Sequence, residues 1–388
     1  MPEINIALIG HRFMGKAHSN AYRQVRRFFP GKYTPRMKVL CGKACTEELE
    51  ETARLYGWEE SDCEWERVIE RKDIDVVDIS TPGFLHHPMV LAAARAGKHI
   101  LCEKPLANTL GEAREMLRAV EKAGVMHYVN FNYRRVPAVA FAKKLIQEGR
   151  IGKVYHYHGA YLQDWIMDPD FPLVWRLEKK YAGSGALGDI GAHAADLAQY
   201  LNSDIESVVS QMTTFIKQRP LPQEGEGAWG AKGKKGKGKV TVDDDTNFLA
   251  SFHNGSIGVF ESSRFAGGRR NYNTFQIYGS KGSLAFNIER MNELEFYDHT
   301  EPAERQAFKT LLVTEGSHPY AGAWWPPGHI IGYEHTFVHA VHDFLVALEK
   351  DRLPEPNFRD GVKNQAVLDA VERSAKSARW EKVNAREK

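Results

Sequence analysis

The sequence predicts two domains: a doubly wound parallel α/β domain, then an α+β domain with a large, mostly antiparallel open sheet. Three observations support this. Residues 4–9 are largely β-branched and apolar without alternation, as a strand buried on both faces of a parallel sheet is, and they run into Gly10 and a helical stretch. Strand and helix patterns then alternate through the first third of the chain, which is the signature of a parallel sheet. Beyond residue 131 strand patterns follow one another without intervening helices, which makes an antiparallel sheet. The 388 residues exceed what one hydrophobic core usually supports. The boundary is placed at 130/131, giving domains 1–130 and 131–388.

In the first domain, Gly10-His11-Arg12-Phe13-Met14-Gly15 joins the first strand to a helix that begins at Lys16. Strand, tight turn and helix form the setting of the G-x-G-x-x-G dinucleotide fingerprint of Rossmann domains. Gly10 can make the turn and Gly15 can allow close helix packing, but Arg12 stands where a glycine normally lets the backbone approach the pyrophosphate. Either its guanidinium swings out and pairs with a phosphate, or the phosphates sit displaced. Residues 37–41 read as a second strand, 47–56 as a helix, 76–79 as a third strand, 88–96 as a helix and 99–102 as a fourth strand. A further strand lies within 124–133. Open α/β sheets bind ligands outside their carboxyl ends. Gly10 to Gly15, Ser80-Thr81-Pro82 and Glu103-Lys104-Pro105 all fall there. After the second strand, where a carboxylate would select NAD, the chain reads Cys41-Gly42-Lys43-Ala44. No acid stands at that place and Lys43 would suit a phosphate, so these residues leave NAD and NADP both open.

In the second domain, 137–148 is helical and 153–161 is an alternating strand; further strands are expected at 207–217, 246–252, 256–262, 274–277, 283–286 and 293–297. The glycine-rich run 183–191 opens a helix that places Asp189 and His193 one turn apart on the same face. A carboxylate there can orient an imidazole and tune its pKa. The bland alternative makes Asp189 an N-terminal cap and His193 a partly buried, hydrogen-bonded residue. Residues 223–240, rich in glycine and lysine, are expected to form a mobile, solvated surface loop. Trp324-Trp325-Pro326-Pro327-Gly328-His329 forms an aromatic, proline-braced turn before a helix at 336–348, and 360–380 is a last amphipathic helix. Aromatic faces of this kind suit sugar rings and also fill cores.

Composition is that of a soluble globular enzyme. Hydrophobic residues make up 43% and charged residues 26%, with a formal net charge of +2, which argues for small polar or neutral ligands and against a nucleic-acid or membrane partner. The first residues show no basic leader and no apolar run long enough for a signal peptide or membrane span, so the cytoplasm is the expected compartment. The four cysteines, Cys41, Cys45, Cys63 and Cys102, have no C-x-x-C spacing and no histidine at zinc-site distance. They are expected to be free thiols, with no metal site, as a reducing compartment favours.

With these pieces in order, the chain resembles the glucose-fructose oxidoreductase and inositol dehydrogenase (Gfo/Idh/MocA) family of NAD(P)-dependent sugar dehydrogenases over nearly its whole length. Gly10 to Gly15 matches the family's nucleotide turn, Glu103-Lys104-Pro105 its Glu-Lys-Pro, and Asp189 with His193 its G-D-x-x-x-H helix. Residues 13–19, 131–135, 161–165, 183–191 and 331–333 resemble members acting on anhydrosugars. The resemblance implies that Lys104 and His193 are the polar pair at the reacting carbon, with Asp189 beside them. It implies cofactor contacts from Gly10, Arg12, Phe13, Met14, Gly15, Ser80, Thr81, Pro82, His86, Glu103 and Lys104. Tyr133, Gln163, Trp165, Arg176, Asp189, His193 and Tyr333 would meet the sugar. NAD is the implied cofactor, with NADP not excluded, and a homodimer or homotetramer through the sheet face is the implied assembly.

The activity so implied is oxidation of a ring secondary alcohol of a sugar or anhydrosugar to a keto-sugar, with hydride passing to nicotinamide. His193 is the expected base, since its unperturbed pKa of about 6.5 is nearest working pH. Lys104 is expected to stabilise the developing alkoxide. The alternatives are a dehydrogenase of inositols, other hexoses or glycosides, a glycosidase that uses NAD transiently, and a non-catalytic nucleotide-binding regulator.

Overall fold

The computed structural model describes residues 2–223 and 233–385. The chain folds into two compact units, Met1–Val136 with Tyr320–Val362, and Pro137–Pro319 with Lys363–Lys388.

The first unit carries β1 (Glu3–Ile9), α1 (Phe13–Phe28), β2 (Thr34–Cys41), α2 (Glu47–Tyr56), β3 (Glu60–Asp62), α3 (Trp65–Glu70), β4 (Val76–Ile79), α4 (His86–Arg95), β5 (His99–Glu103), α5 (Leu110–Ala123) and β6 (His127–Asn130). The strands form one sheet in the order β3-β2-β1-β4-β5-β6 with every pairing parallel. This is the doubly wound sheet the alternation predicts. β1 and β4 are buried almost throughout, which explains why neither alternates. Helix ends follow local chemistry. The Thr46 hydroxyl accepts from Leu49 N at the start of α2, and Gly57 ends that helix at φ 80°. Thr109 and Glu112 form a capping box on α5. β3 is wholly polar, Glu60-Ser61-Asp62, so apolar patterning gave no sign of it.

The second unit carries α6 (Pro137–Gln147), β7 (Val154–Leu162), α7 (Lys179–Ala182), α8 (Ala192–Leu201), β8 (Ile205–Thr213), β9 (Gln218–Pro222), β10 (Gly233–Lys239), β11 (Asp245–Phe252), β12 (Ile257–Ser263), β13 (Tyr272–Gly279), β14 (Gly282–Asn287), β15 (Glu293–Asp298) and β16 (Lys309–Leu312). Its main sheet has nine strands, ordered β16-β15-β14-β13-β7-β12-β11-β8 and ending on β17 (Glu381–Lys382). All pairings are antiparallel except β7 with β12. Tyr157, Phe252, Phe260 and Phe275 pack on its inner side, which α8 covers.

The last helices are α9 (His335–Glu349) and α10 (Phe358–Ser377). α9 belongs to the first unit: Phe337, Val338, Val341, Phe344 and Leu345 share a core with Ala21, Tyr22 and Val25 of α1 and with Phe29 just after it. The sequence-based division assigned everything after residue 130 to the second domain; by contacts, Tyr320–Val362 groups with the first.

Two expectations need correction. Residues 223–240 are not one loop, because 233–239 form β10, paired antiparallel with β9; 224–232 lie outside the described residues. Ladder pairing uses backbone groups alone, so a glycine-lysine run can supply a strand without apolar periodicity. The cysteines are not all free thiols. Cys45 and Cys63 are disulfide-bonded, with Cα atoms 5.2 Å apart, while Cys41 and Cys102 are buried free thiols. Parallel pairing of β2 with β3 sets Cys41 opposite Asp62 and so brings the two following loops together, a proximity that linear spacing hides.

Candidate active site

At the carboxyl edge of the parallel sheet the strand-end turns are tied to one another. Gly10 N–H donates to Cys41 O at 2.8 Å, and the Ser80 hydroxyl lies 3.2 and 3.1 Å from Ile9 O and Gly10 O. Gly10 has φ 114°, and a Cβ there would sit 2.7 Å from Ser80 Oγ. A Cβ on Gly15 would fall 2.1 Å from Gly10 O. Both positions therefore require glycine, and the first turn of α1, with no acidic residue and no side-chain cap, leaves N–H groups directed at the turn. This backbone cradle fits the pyrophosphate of a dinucleotide. The Arg12 side chain points out of the turn, with Nη2 3.7 Å from Glu48 Oε2 of α2.

Of the other residues assigned to the cofactor, Phe13 is exposed and its ring stacks near Tyr333 at 6.4 Å, while Met14 packs against the core. Thr81 and Pro82 follow β4 directly and are partly buried. His86 is buried between Thr81 O at 2.9 Å and Pro105 O at 3.0 Å, so it braces two strand-end loops against each other. Glu103 is buried at the end of β5, and its Oε2 accepts the Lys104 amide N–H at 3.1 Å. The Lys104-Pro105 bond is cis. Lys104 is partly buried. In the same unit Tyr133 and Tyr333 meet edge to face at 6.3 Å.

The second unit gathers Gln163, Trp165, Arg176, Asp189 and His193. Trp165 Nε1–H donates to Gln163 Oε1 at 2.9 Å, and the Gln163 amide donates to Asn271 Oδ1 at 3.3 Å. Asn271 Oδ1 also accepts from the Tyr161 hydroxyl, and the Tyr161 ring lies 5.9 Å from that of His193. Asp189 sits in a π-helical turn, Leu187–Gly191, that leads into α8. Such turns recur at functional sites. The carboxylate is a third exposed and accepts from Arg264 Nη2 at 2.6 Å. Arg264 is 1% exposed, its guanidinium lies over Trp165 at 5.3 Å, and its Nε and Nη1 have no hydrogen-bond partner. Arg176 stacks on Trp175 at 4.3 Å; burial pulls its pKa down, while the Asp189 charge opposes that.

Asp189 does not cap the helix. Asp243 does so, accepting from Gly185 N at 2.6 Å, Leu187 N at 2.8 Å and the Thr246 hydroxyl at 2.8 Å. Arg264, Asn271, Tyr161 and Asp243 carry no motif as site residues; only the 161–165 stretch pointed toward one of them. Among the described residues no group of three His, Cys, Asp or Glu side chains could hold a metal ion.

A parallel sheet with a glycine cradle at its carboxyl edge, joined in one chain to an open-sheet domain rich in polar and aromatic site residues, defines an NAD-dependent oxidoreductase. The chain belongs to the GFO/IDH/MocA family: residues 4–131 match the oxidoreductase family with an NAD-binding Rossmann fold, and 139–285 match the GFO/IDH/MocA C-terminal domain. It is 45% identical over 384 residues to the levoglucosan dehydrogenase of Pseudarthrobacter phenanthrenivorans, covering 98% of each chain. The structure of a levoglucosan dehydrogenase in complex with NADH and levoglucosan superposes with a TM-score of 0.93 at 43% identity, over 99% of this chain and 100% of that one. An oxidoreductase domain protein from Kribbella flavida gives 0.94 at 49% identity, over 99% and 100%.

Proposed function

We propose that this protein oxidises a ring secondary alcohol of a levoglucosan-like anhydrosugar to the keto-sugar, with NAD as the acceptor. The observation that carries the reading is Asp189 held by the buried Arg264, with Arg264 lying over Trp165 and the Tyr161 ring next to His193. When bound, nicotinamide supplies the hydride acceptor at its C4. The chain's own groups must take the hydroxyl proton and hold the oxygen as charge develops. His193 takes the proton, since an imidazole titrates nearest neutrality. Lys104 holds the oxygen through its ammonium charge. Asp189, held by Arg264, orients the imidazole and stabilises it once protonated. Gln163, Trp165 and Arg176 contact the sugar, as do Tyr133 and Tyr333. Backbone N–H groups at the start of α1 would hold the pyrophosphate, with Gly10 and Gly15 letting it approach, Ser80, Thr81 and Pro82 shaping the neighbouring turn, and Arg12 turning from Glu48 to a phosphate oxygen.

An oriented base contributes roughly two to four decades of rate. His193→Ala should therefore lower turnover at least about tenfold under saturating cofactor, read by nicotinamide absorbance; unchanged turnover would remove His193 from the mechanism.

We further propose that the protein works in the cytoplasm, where NAD is available, as a homodimer or homotetramer. Among the described residues no helix is long and apolar enough to cross a membrane. The sheet side away from α8 exposes Leu249, Ile257 and Val259, which form adjacent cross-strand neighbours suited to a second copy.

A further inference from the structure

Beneath the Glu103-Lys104-Pro105 turn, the first unit buries a set of charges that the proposed chemistry leaves unused. His18 of α1 is 2% exposed and lies between two buried carboxylates on adjacent strands. Its Nδ1 is 2.8 Å from Asp78 Oδ2 of β4, and its Nε2 is 2.9 Å from Glu103 Oε1 of β5. A neutral imidazole has one N–H and would turn a lone pair toward one of these carboxylates; only the imidazolium donates to both. Each carboxylate oxygen that meets the ring is fixed by a second donor. The Tyr22 hydroxyl reaches Asp78 Oδ2 at 2.8 Å, and the Asn130 amide donates to Glu103 Oε1 at 2.6 Å, the shorter of its two contacts there, with His18 Nε2 at 3.2 Å. Asp78 Oδ1 is buried without a partner, so its charge has the ring as its nearest recipient. The remaining oxygen of Glu103, Oε2, is the one that accepts the Lys104 amide N–H.

The other groups packed on the ring are aromatic or neutral. Phe337 of α9 closes one side at 5.4 Å between rings. The Cys102 thiol is held neutral by burial, with Glu103 and Asp78 acting in the same direction. Burial drives the imidazole toward neutrality, but the Asp78 charge and hydrogen bond, with Glu103, outweigh it and push its pKa up to about 10. Burial works against ionisation of Glu103, but its hydrogen bond and charge interaction with His18, with Lys104 acting the same way, pull its pKa down.

We propose that His18 is a positioning residue for the reaction: as an imidazolium bridging Asp78 and Glu103 it locks the Glu103 carboxylate onto the Lys104 amide, and so sets where the Lys104 ammonium acts. The role rests on the assignment of Lys104 made above. Removing the bridge leaves Glu103 free to rotate or to take up a proton, and either change loosens the backbone at Lys104.

The charge state is read first, on the unaltered protein. Long-range proton–nitrogen spectra of protein labelled with 15N-histidine at pH 8.5 should contain a doubly protonated ring, assigned to His18 by its absence from the His18→Gln spectrum. Finding every ring as a neutral tautomer overturns the proposal. Positioning is read from two variants. His18→Gln should lower kcat at least tenfold while KM for NAD and sugar changes less than threefold. Asp78→Asn keeps the side-chain shape but weakens the hold on the proton. Its kcat should fall along an alkaline limb, between pH 7 and 9, that the unaltered enzyme lacks. This second variant decides the matter if His18→Gln fails to fold, and a kcat–pH profile in Asp78→Asn identical to that of the parent enzyme overturns the proposal. Lys104→Met separates the two readings. If it retains turnover, the assignment of Lys104 fails whatever the spectra show. If it loses turnover while the His18 and Asp78 variants keep theirs, only the positioning role fails.

Discussion

At the scale of single residues, the site divides by how far apart its partners lie in the chain. Lys104, Asp189 and His193 stand out in the sequence as candidates because each lies in a short motif with its own context: a strand end, or one turn of a helix. Arg264 was not, since its partner Asp189 lies 75 positions away and nothing around it on β12 and the following turn marks it. His18 is the same case, 60 positions from Asp78 and 85 from Glu103. Its raised pKa has a consequence for stability whose sign is fixed by linkage. The folded state binds the imidazole proton more tightly than the unfolded state, whose pKa is about 6.5. The stabilisation is therefore complete below about pH 6.5 and is lost as pH rises through the folded value of about 10. Denaturant titrations of the parent protein across pH 6.5 to 10 should show stability declining by more than in His18→Gln. Parallel pH dependences in the two would mean that the ring does not hold its proton in the folded state.

At the scale of elements, period and punctuation located most helices and strands, and the failures share one cause. β3 and β10 are made of polar residues or glycine and lysine, so they pair by backbone alone and leave no apolar period to detect. The helix at 187–201 was foreseen, but not its π-helical opening or its cap from Asp243, because both depend on a carboxylate supplied by a distant loop. The disulfide was missed for a similar reason: adjacency of the β2 and β3 loops is a property of the sheet, not of the spacing. Cys45 and Cys63 are 18 positions apart, and closing a loop of that size is worth about 3 kcal/mol through the unfolded chain. Cys45→Ser, or reduction of the parent protein, should lower unfolding stability by about that amount. Alkylation of the denatured, unreduced protein should label Cys41 and Cys102 alone; labelling of all four cysteines would show that the bond does not form.

At the scale of the whole molecule, the fold class was legible because alternating strands and helices give way to successive strands at one place. The first run of alternating strands ends on β6 at Asn130, and by contacts the division falls after Val136, not at the expected 130/131. The grouping of Tyr320–Val362 with the first unit was not legible, because the apolar face of α9 serves α1, near the other end of the chain. The open sheet face was legible only as an antiparallel pattern with its outer side unassigned. If a second copy covers that face, Val259→Glu, which places a second carboxylate two positions from Glu261, should reduce the solution mass measured by light scattering while leaving circular dichroism unchanged. An unaltered mass would move the contact elsewhere or make the protein a monomer.

The substrate and the redox outcome are tested together by incubating the purified enzyme with levoglucosan, inositols and simple hexoses, each with NAD and with NADP, and following reduced nicotinamide and sugar product in the same reaction. The expected result is reduced NAD accumulating in step with a keto-anhydrosugar, with levoglucosan the preferred substrate and the signal lost in His193→Ala. Sugar cleavage without net reduced cofactor, or no reduction with any of these sugars, would contradict the account.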